Sequence, residues 1–191
     1  MLKVTVLLIV IIPLLIMYEL IAYIKLKRKH SIEYWILGIS FYIYLMLFIG
    51  VTFFPIPIQK EVIAILKTTS GNYINYNIIP FHSILQTLRT NPSEKSILIQ
   101  IMGNIILIMP ITFYISLVNN RIKNIGNTIA LVLFISILIE LFQFIIGTIV
   151  GYYYRIIDID DIILNTFGGI LGYLFAMLIK RAVPKHVSNI K

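Results

Sequence analysis

The fold class predicted by this sequence is an all-α, polytopic membrane helix bundle, and three observations predict it. Of the 191 residues, 59% are hydrophobic and only 13% are charged, about half the charged share of a soluble domain. The apolar residues come in unbroken runs of about 20, the length at which a helix crosses a bilayer. The basic residues sit in short clusters beside those runs, where they set membrane topology rather than bind nucleic acid. The length suits one integral-membrane domain over residues 1–191. With no cysteine in the chain, disulfides, thiol catalysis and thiolate metal sites are excluded.

The hydropathy pattern predicts five spans. The first, 4–24, is followed by the basic run KLKRKH (Lys25–His30) and not by a small-residue cleavage site, so it reads as an anchor rather than a signal peptide. The second, 34–54, stops at FPIP, where two prolines end the helical pattern. The third, fourth and fifth are 97–118, 126–150 and 161–179. Lys25, Lys27, Arg28, Lys29, Arg121, Lys123, Lys180, Arg181, Lys185 and Lys191 fall on alternate segments, leaving six of the 16 basic residues on the opposite side. The positive-inside rule then places the N-terminus outside and the C-terminus in the cytoplasm. The long segment 55–96 becomes extracytoplasmic. Within it, Pro80–Thr90 has helical period: Phe81, Ile84, Leu85 and Leu88 share one face, and Pro80 suits a first turn. An amphipathic helix lying on the outer interface is expected there.

Polar residues then appear where a membrane interior should be dry. Span four carries Ser136, Glu140, Gln143 and Gly147; span five carries Asp161, Asn165, Gly168 and Gly172. Both sets are spaced four, three, four, so each lines one helix face. Span three adds Gln100 and Asn104, with Gly103 beside them. At about 1.5 Å of rise per residue, Asn104 lies about 10 Å below the outer end of its span, Asn165 about 6 Å and Glu140 with Gln143 about 10–15 Å. The stripes converge in the outer half of the bilayer, which predicts an outward-facing polar cavity roofed by the Pro80 helix and the Arg155–Asp161 loop.

Each group also has a plainer reading. Gly168 and Gly172 form GxxxG, a close-packing motif. One of Asp158, Asp160 and Asp161, at the head of a helix, is explained by capping; the other two, with Arg155, are candidates for a ligand's polar head. Gln100, Asn104 and Gln143 suit interhelical hydrogen bonds. Glu140 reads as a buried carboxyl or a partner for Arg155. His82, one of three histidines, reads as a surface residue. Joined to Glu140 and the aspartates it would make a mixed oxygen and nitrogen site, and the carboxylates alone would suit a divalent cation. Nothing in the spacing calls for any cofactor.

The motifs NIIPFHSI (Asn77–Ile84), GNIILIMPITF (Gly103–Phe113), ELFQ (Glu140–Gln143) and RIIDIDDIILNTFGGILGY (Arg155–Tyr173), in this order and spacing, resemble the VanZ-like family over residues 35–180. The resemblance implies hallmark positions at Asn77, Pro80, Phe81, Gly103, Asn104, Pro110, Glu140, Gln143, Arg155, Asp158, Asp160, Asp161, Asn165, Gly168, Gly169 and Gly172. It implies a cell-envelope protein associated with resistance to teicoplanin and related lipoglycopeptides, and no agreed reaction.

Two functional readings follow. In the first, a non-enzymatic resistance protein binds a lipoglycopeptide or a lipid-linked cell-wall intermediate. Asn77, Phe81, His82, Gln100, Asn104, Glu140, Gln143, Arg155, Asp158, Asp160, Asp161 and Asn165 contact the ligand, while Pro80, Gly103, Pro110, Gly168, Gly169 and Gly172 shape the site. In the second, a membrane enzyme uses Glu140, Asp158, Asp160 or Asp161 for acid/base or metal-assisted chemistry on such a substrate. Against the second, no G-x-S-x-G, H-E-x-x-H or second outward histidine is present. A transporter or partner-subunit role is a third possibility, weakened by the lack of an inverted repeat. Membrane lipids are the expected surroundings.

Overall fold

A computed structural model describes residues 32–70, 76–89, 98–118 and 124–182. The first expected span (4–24) and its basic flank lie outside these residues, as do His30 and His186. The described residues form two compact units, one ending at Ser70 and the other starting at Tyr76.

The first unit contains α1 (Ile32–Phe53) and α2 (Lys60–Ser70). Along α1 the exposed Ile36, Ile39, Ile43, Leu47 and Val51 recur every three or four residues. That spacing makes one continuous apolar face, which suits lipid. The helix α2 is an element that the sequence pattern did not reveal. Glu61 sits in its first turn and Lys67 in its last, charges that complement the helix dipole.

The second unit contains β1 (Tyr76–Asn77), α3 (His82–Arg89), a π-helical turn (Leu98–Met102) that runs into α4 (Gly103–Val118), α5 (Ile125–Val150), β2 (Ile157–Asp158) and α6 (Ile159–Ala182). Together with α1, the segments Ile99–Val118, Ile125–Val150 and Ile159–Ala182 are long and apolar enough to cross a membrane. The fold is the expected all-α membrane bundle. Four of the five expected spans fall on described residues, shifted by no more than a few residues at their ends.

Helix α6 is the centre of this unit and packs along both α4 and α5. Its glycines explain how. A Cβ on Gly168 would overlap the Ile105 carbonyl oxygen, and one on Gly172 would overlap the Met109 carbonyl oxygen and Thr112 Oγ1. On the other side, a Cβ on Gly169 would overlap the Val132 side chain. Small residues let the backbones approach where no hydrophobic effect drives helices together. Ile108 on α4, Val132 on α5 and Ala176 on α6 are fully buried.

Helix α5 is closed at both ends. Asn124 Oδ1 accepts the Asn127 N–H at 2.8 Å, an N-cap. Gly151 has φ 76° and donates its N–H to Gly147 O at 2.9 Å, and Tyr152 N–H reaches the same carbonyl at 3.0 Å. A left-handed residue after a helix favours glycine because a Cβ is strained there. The chain can then reverse and bring Tyr153 back against Gly147, where a Cβ would stand 2.9 Å from the Tyr153 ring. Tyr153 stacks on Phe144 at 5.7 Å between centroids.

Candidate functional site

The site lies where α5 ends and α6 begins. There β1 and β2 form a short parallel pair, Tyr76 opposite Ile157 and Asn77 opposite Asp158, which ties the α3 segment to the head of α6. Asn77 Nδ2 donates to Asp158 Oδ1 at 2.8 Å and to Ser83 Oγ at 3.0 Å. Its Oδ1 accepts the Ile79 N–H at 3.1 Å, an Asx turn.

Asp160 is 1% exposed. Its Oδ1 accepts the Phe81 N–H at 2.5 Å and its Oδ2 the Ile84 N–H at 3.1 Å. Phe81 immediately precedes α3 and Ile84 lies in its first turn, where backbone N–H groups have no partner inside the helix. A carboxylate from α6 therefore caps a different helix, 76 to 79 residues away in sequence. Asp158 caps its own: Asp158 Oδ1 accepts the Asp160 N–H at 2.9 Å. Two of the three aspartates, rather than one, are engaged as backbone acceptors.

The helix they hold starts at His82, not at Pro80. Pro80 and Phe81 form the turn before it, and Phe81 has φ 65°. A left-handed conformation is strained for a bulky residue; the short bond from its N–H to Asp160 holds it. The edge of α3 that faces away from the bundle carries Phe81, Leu85 and Leu88, all exposed. Thr87, on the inner side, donates to Gln100 Oε1 at 2.6 Å and fastens the end of α3 to the π-helical turn.

Below this roof lies a layer of carboxyls. Glu140 is 7% exposed, and its Oε2 accepts the Asp158 N–H at 3.3 Å. Asp161 Oδ1 accepts from Asn104 Nδ2. The charges of Asp158 and Asp161 both act on Glu140, and that of Arg155 acts on Asp161. Val132 meets Gly169, eight residues before Glu140 on α5 and eight after Asp161 on α6. In antiparallel neighbours this register brings Glu140 level with Asp161. Ser136 and Asn165 then share the level about 6 Å deeper. Both are buried, and Ser136 Oγ and Asn165 Oδ1 make no hydrogen bond among the described residues.

Between α5 and β2, burial pushes the Tyr154 phenol above its ordinary range, and the Arg155 charge opposes this. Gln143 is half-buried on α5 and Arg155 is half-buried before β2. His82 is exposed. Among the described residues, no three His, Cys, Asp or Glu side chains stand where one metal ion would be held by all of them. Gly103 is exposed, with open space where a Cβ would stand. Pro110 lies inside α4 and cannot donate to the Ile106 carbonyl.

Ser83 and Thr87 escaped the sequence reading. Both are common in turns and short helices, so their type carries no signal. The backbone donors of Phe81 and Ile84 were equally hidden, because residue type says nothing about which carboxylate an N–H meets.

No curated protein and no solved structure gives a match to this chain. The VanZ/LLP1 family matches residues 41–180, which holds α3, the π-helical turn, the carboxyl layer and the three packing glycines of α6. The match covers most of the 191 residues, and this membrane protein therefore belongs to the VanZ/LLP1 family.

Proposed function

We propose that this VanZ/LLP1 membrane protein binds a lipid-tailed or lipid-linked ligand of the bacterial cell envelope at its polar layer, and that this binding contributes to resistance to teicoplanin and related lipoglycopeptides. One observation supports the binding reading most. Glu140 and Asp161 each accept a hydrogen bond from the protein through one carboxylate oxygen, and Asn165 Oδ1, one helix turn deeper in a residue only 2% exposed, has no hydrogen-bond partner among the described residues. Buried polar groups in a membrane protein are costly and mark binding sites when the fold does not consume them. The apolar edge of α3 offers an adjacent surface for a tail. The distribution of basic residues supports an outward-facing site, with the N-terminus outside and the C-terminus in the cytoplasm.

The test compares teicoplanin susceptibility in cells expressing no protein, the wild type, Glu140→Gln and Asp161→Asn at matched membrane abundance. Reduced susceptibility with the wild type, diminished in both variants, is the expected result. Equal susceptibility of all four strains would sink the resistance role.

The alternative, a membrane enzyme acting on a lipid-linked cell-wall substrate, has one observation in its favour. Glu140 and Asp161 stand level on neighbouring helices, two carboxyls of the residue type that acid/base chemistry uses. Mass spectrometry of lipid II and polyprenyl phosphates incubated with purified protein decides it; unaltered substrates remove this reading.

A further inference from the structure

The oxygens that Glu140, Asp161 and Asn165 bring to the polar layer share one chemical property. Glu140 Oε1 and Asp161 Oδ2 are acceptors. So is Asn165 Oδ1, which has no partner among the described residues although the residue is only 2% exposed. Asn165 stands one turn after Asp161 on α6, and helix side chains tilt toward the N-terminus, so the Asn165 side chain leans toward the carboxyl layer. An acceptor this deep that meets no N–H or O–H of the described residues is expensive unless another donor reaches it. Asn104, which does have a donor to give, has already spent it on Asp161.

The charge balance points the same way. Glu140 and Asp161 face the layer together, with Arg155 acting on one of them. An anionic head would meet two carboxyls. A single metal ion is poorly served, because no three His, Cys, Asp or Glu side chains among the described residues reach a common point. A primary ammonium supplies three N–H donors and a positive charge, and charge-assisted bonds to carboxylates are the strong kind. Building on the reading of this layer as a ligand site, we infer that the group it selects is a primary ammonium at the head of a lipid-tailed molecule, lying between Glu140 and Asp161 and above Asn165.

The experiment uses the full chain in detergent and native mass spectrometry with single-tailed probes of equal acyl length. These are lysophosphatidylethanolamine, lysophosphatidylcholine, lysophosphatidylglycerol and N-acetylated lysophosphatidylethanolamine, with dodecylamine as an ammonium that lacks a phosphate. The ethanolamine lipid is expected to bind about tenfold more tightly than the choline, glycerol and acetylated probes, the scale of one charge-assisted hydrogen bond. Glu140→Gln and Asp161→Asn should each erase that preference. Strong dodecylamine binding would assign recognition to any tailed amine; binding of the ethanolamine lipid alone would assign it to a membrane lipid, and either supports the ammonium. If all probes bind alike but weaken together in the variants, the ammonium assignment falls and the ligand site stands. If no binding depends on Glu140 or Asp161, both fall. The comparison of head groups on the wild type remains decisive if a variant fails to fold.

Discussion

Asp160→Ala is the substitution whose consequence the structure defines most sharply. The wild-type carboxylate accepts the Phe81 and Ile84 N–H groups from a site that is 1% exposed. Each hydrogen bond to a charged group contributes about 1.5–3 kcal/mol, so the two hold α3 with ~3–6 kcal/mol, less what the carboxylate loses by leaving water. An eight-residue helix is too short to persist alone. Once Asp160 is gone, the β1–β2 pairing and the bonds through Asn77 and Thr87–Gln100 are among the ties that still hold α3. The core of α4, α5 and α6 does not depend on Asp160. The loss is therefore local: α3 opens while the bundle stays folded. Hydrogen exchange in detergent, followed on peptides covering 76–89, should accelerate by roughly 100-fold for a net loss of about 3 kcal/mol. Asp160→Asn keeps one acceptor oxygen and should fall between wild type and alanine. Unchanged exchange over 76–89 in folded Asp160→Ala protein would refute the clamp. Equal loss of protection throughout α4–α6 would refute its local character.

Two further outcomes follow from the packing and the backbone. Gly168→Ala places a methyl group into the Ile105 backbone, an overpacking that costs about 1–3 kcal/mol, whereas Gly103→Ala meets open space and gains up to ~1 kcal/mol of helix propensity. Thermal unfolding in detergent should show a lowered midpoint for the first and an equal or raised midpoint for the second. Phe81→Gly removes a left-handed strain of about 1–2 kcal/mol together with an exposed ring. Its midpoint should not fall, while binding of single-tailed lipids weakens; a clear loss of stability would show that the ring packs as part of the fold.

How far the sequence can be read depends on the range of the interaction. The spans were legible because apolar runs act locally and a bilayer sets their length; the ends of the segment Ile99–Val118 and of α5 and α6 fall close to where hydropathy put them. Gly168 and Gly172 were legible as a packing pair because four residues bring two side chains to one helix face. Helix α2 was hidden, since KEVIAILKTTS is short and ends in β-branched threonines that weaken a helical reading. The roles of the aspartates were least legible. Asp158, Asp160 and Asp161 are alike in residue type and nearly adjacent, and only the path of a chain 79 residues away separates them. Asp160 meets the Phe81 N–H because the β1–β2 pair aligns Asn77 with Asp158. Asp158 turns to its own helix. Asp161, one residue further round the helix, meets Asn104 from a different span. The separation also bears on function. Substituting Asp158 or Asp160 disturbs the roof, so loss of activity in those variants reports on folding as much as on a ligand. Glu140 and Asp161 each meet the described protein through one hydrogen-bonded oxygen, and their conservative amides change charge with little change of shape. A ligand contact can be measured at these two positions with the least interference from the fold.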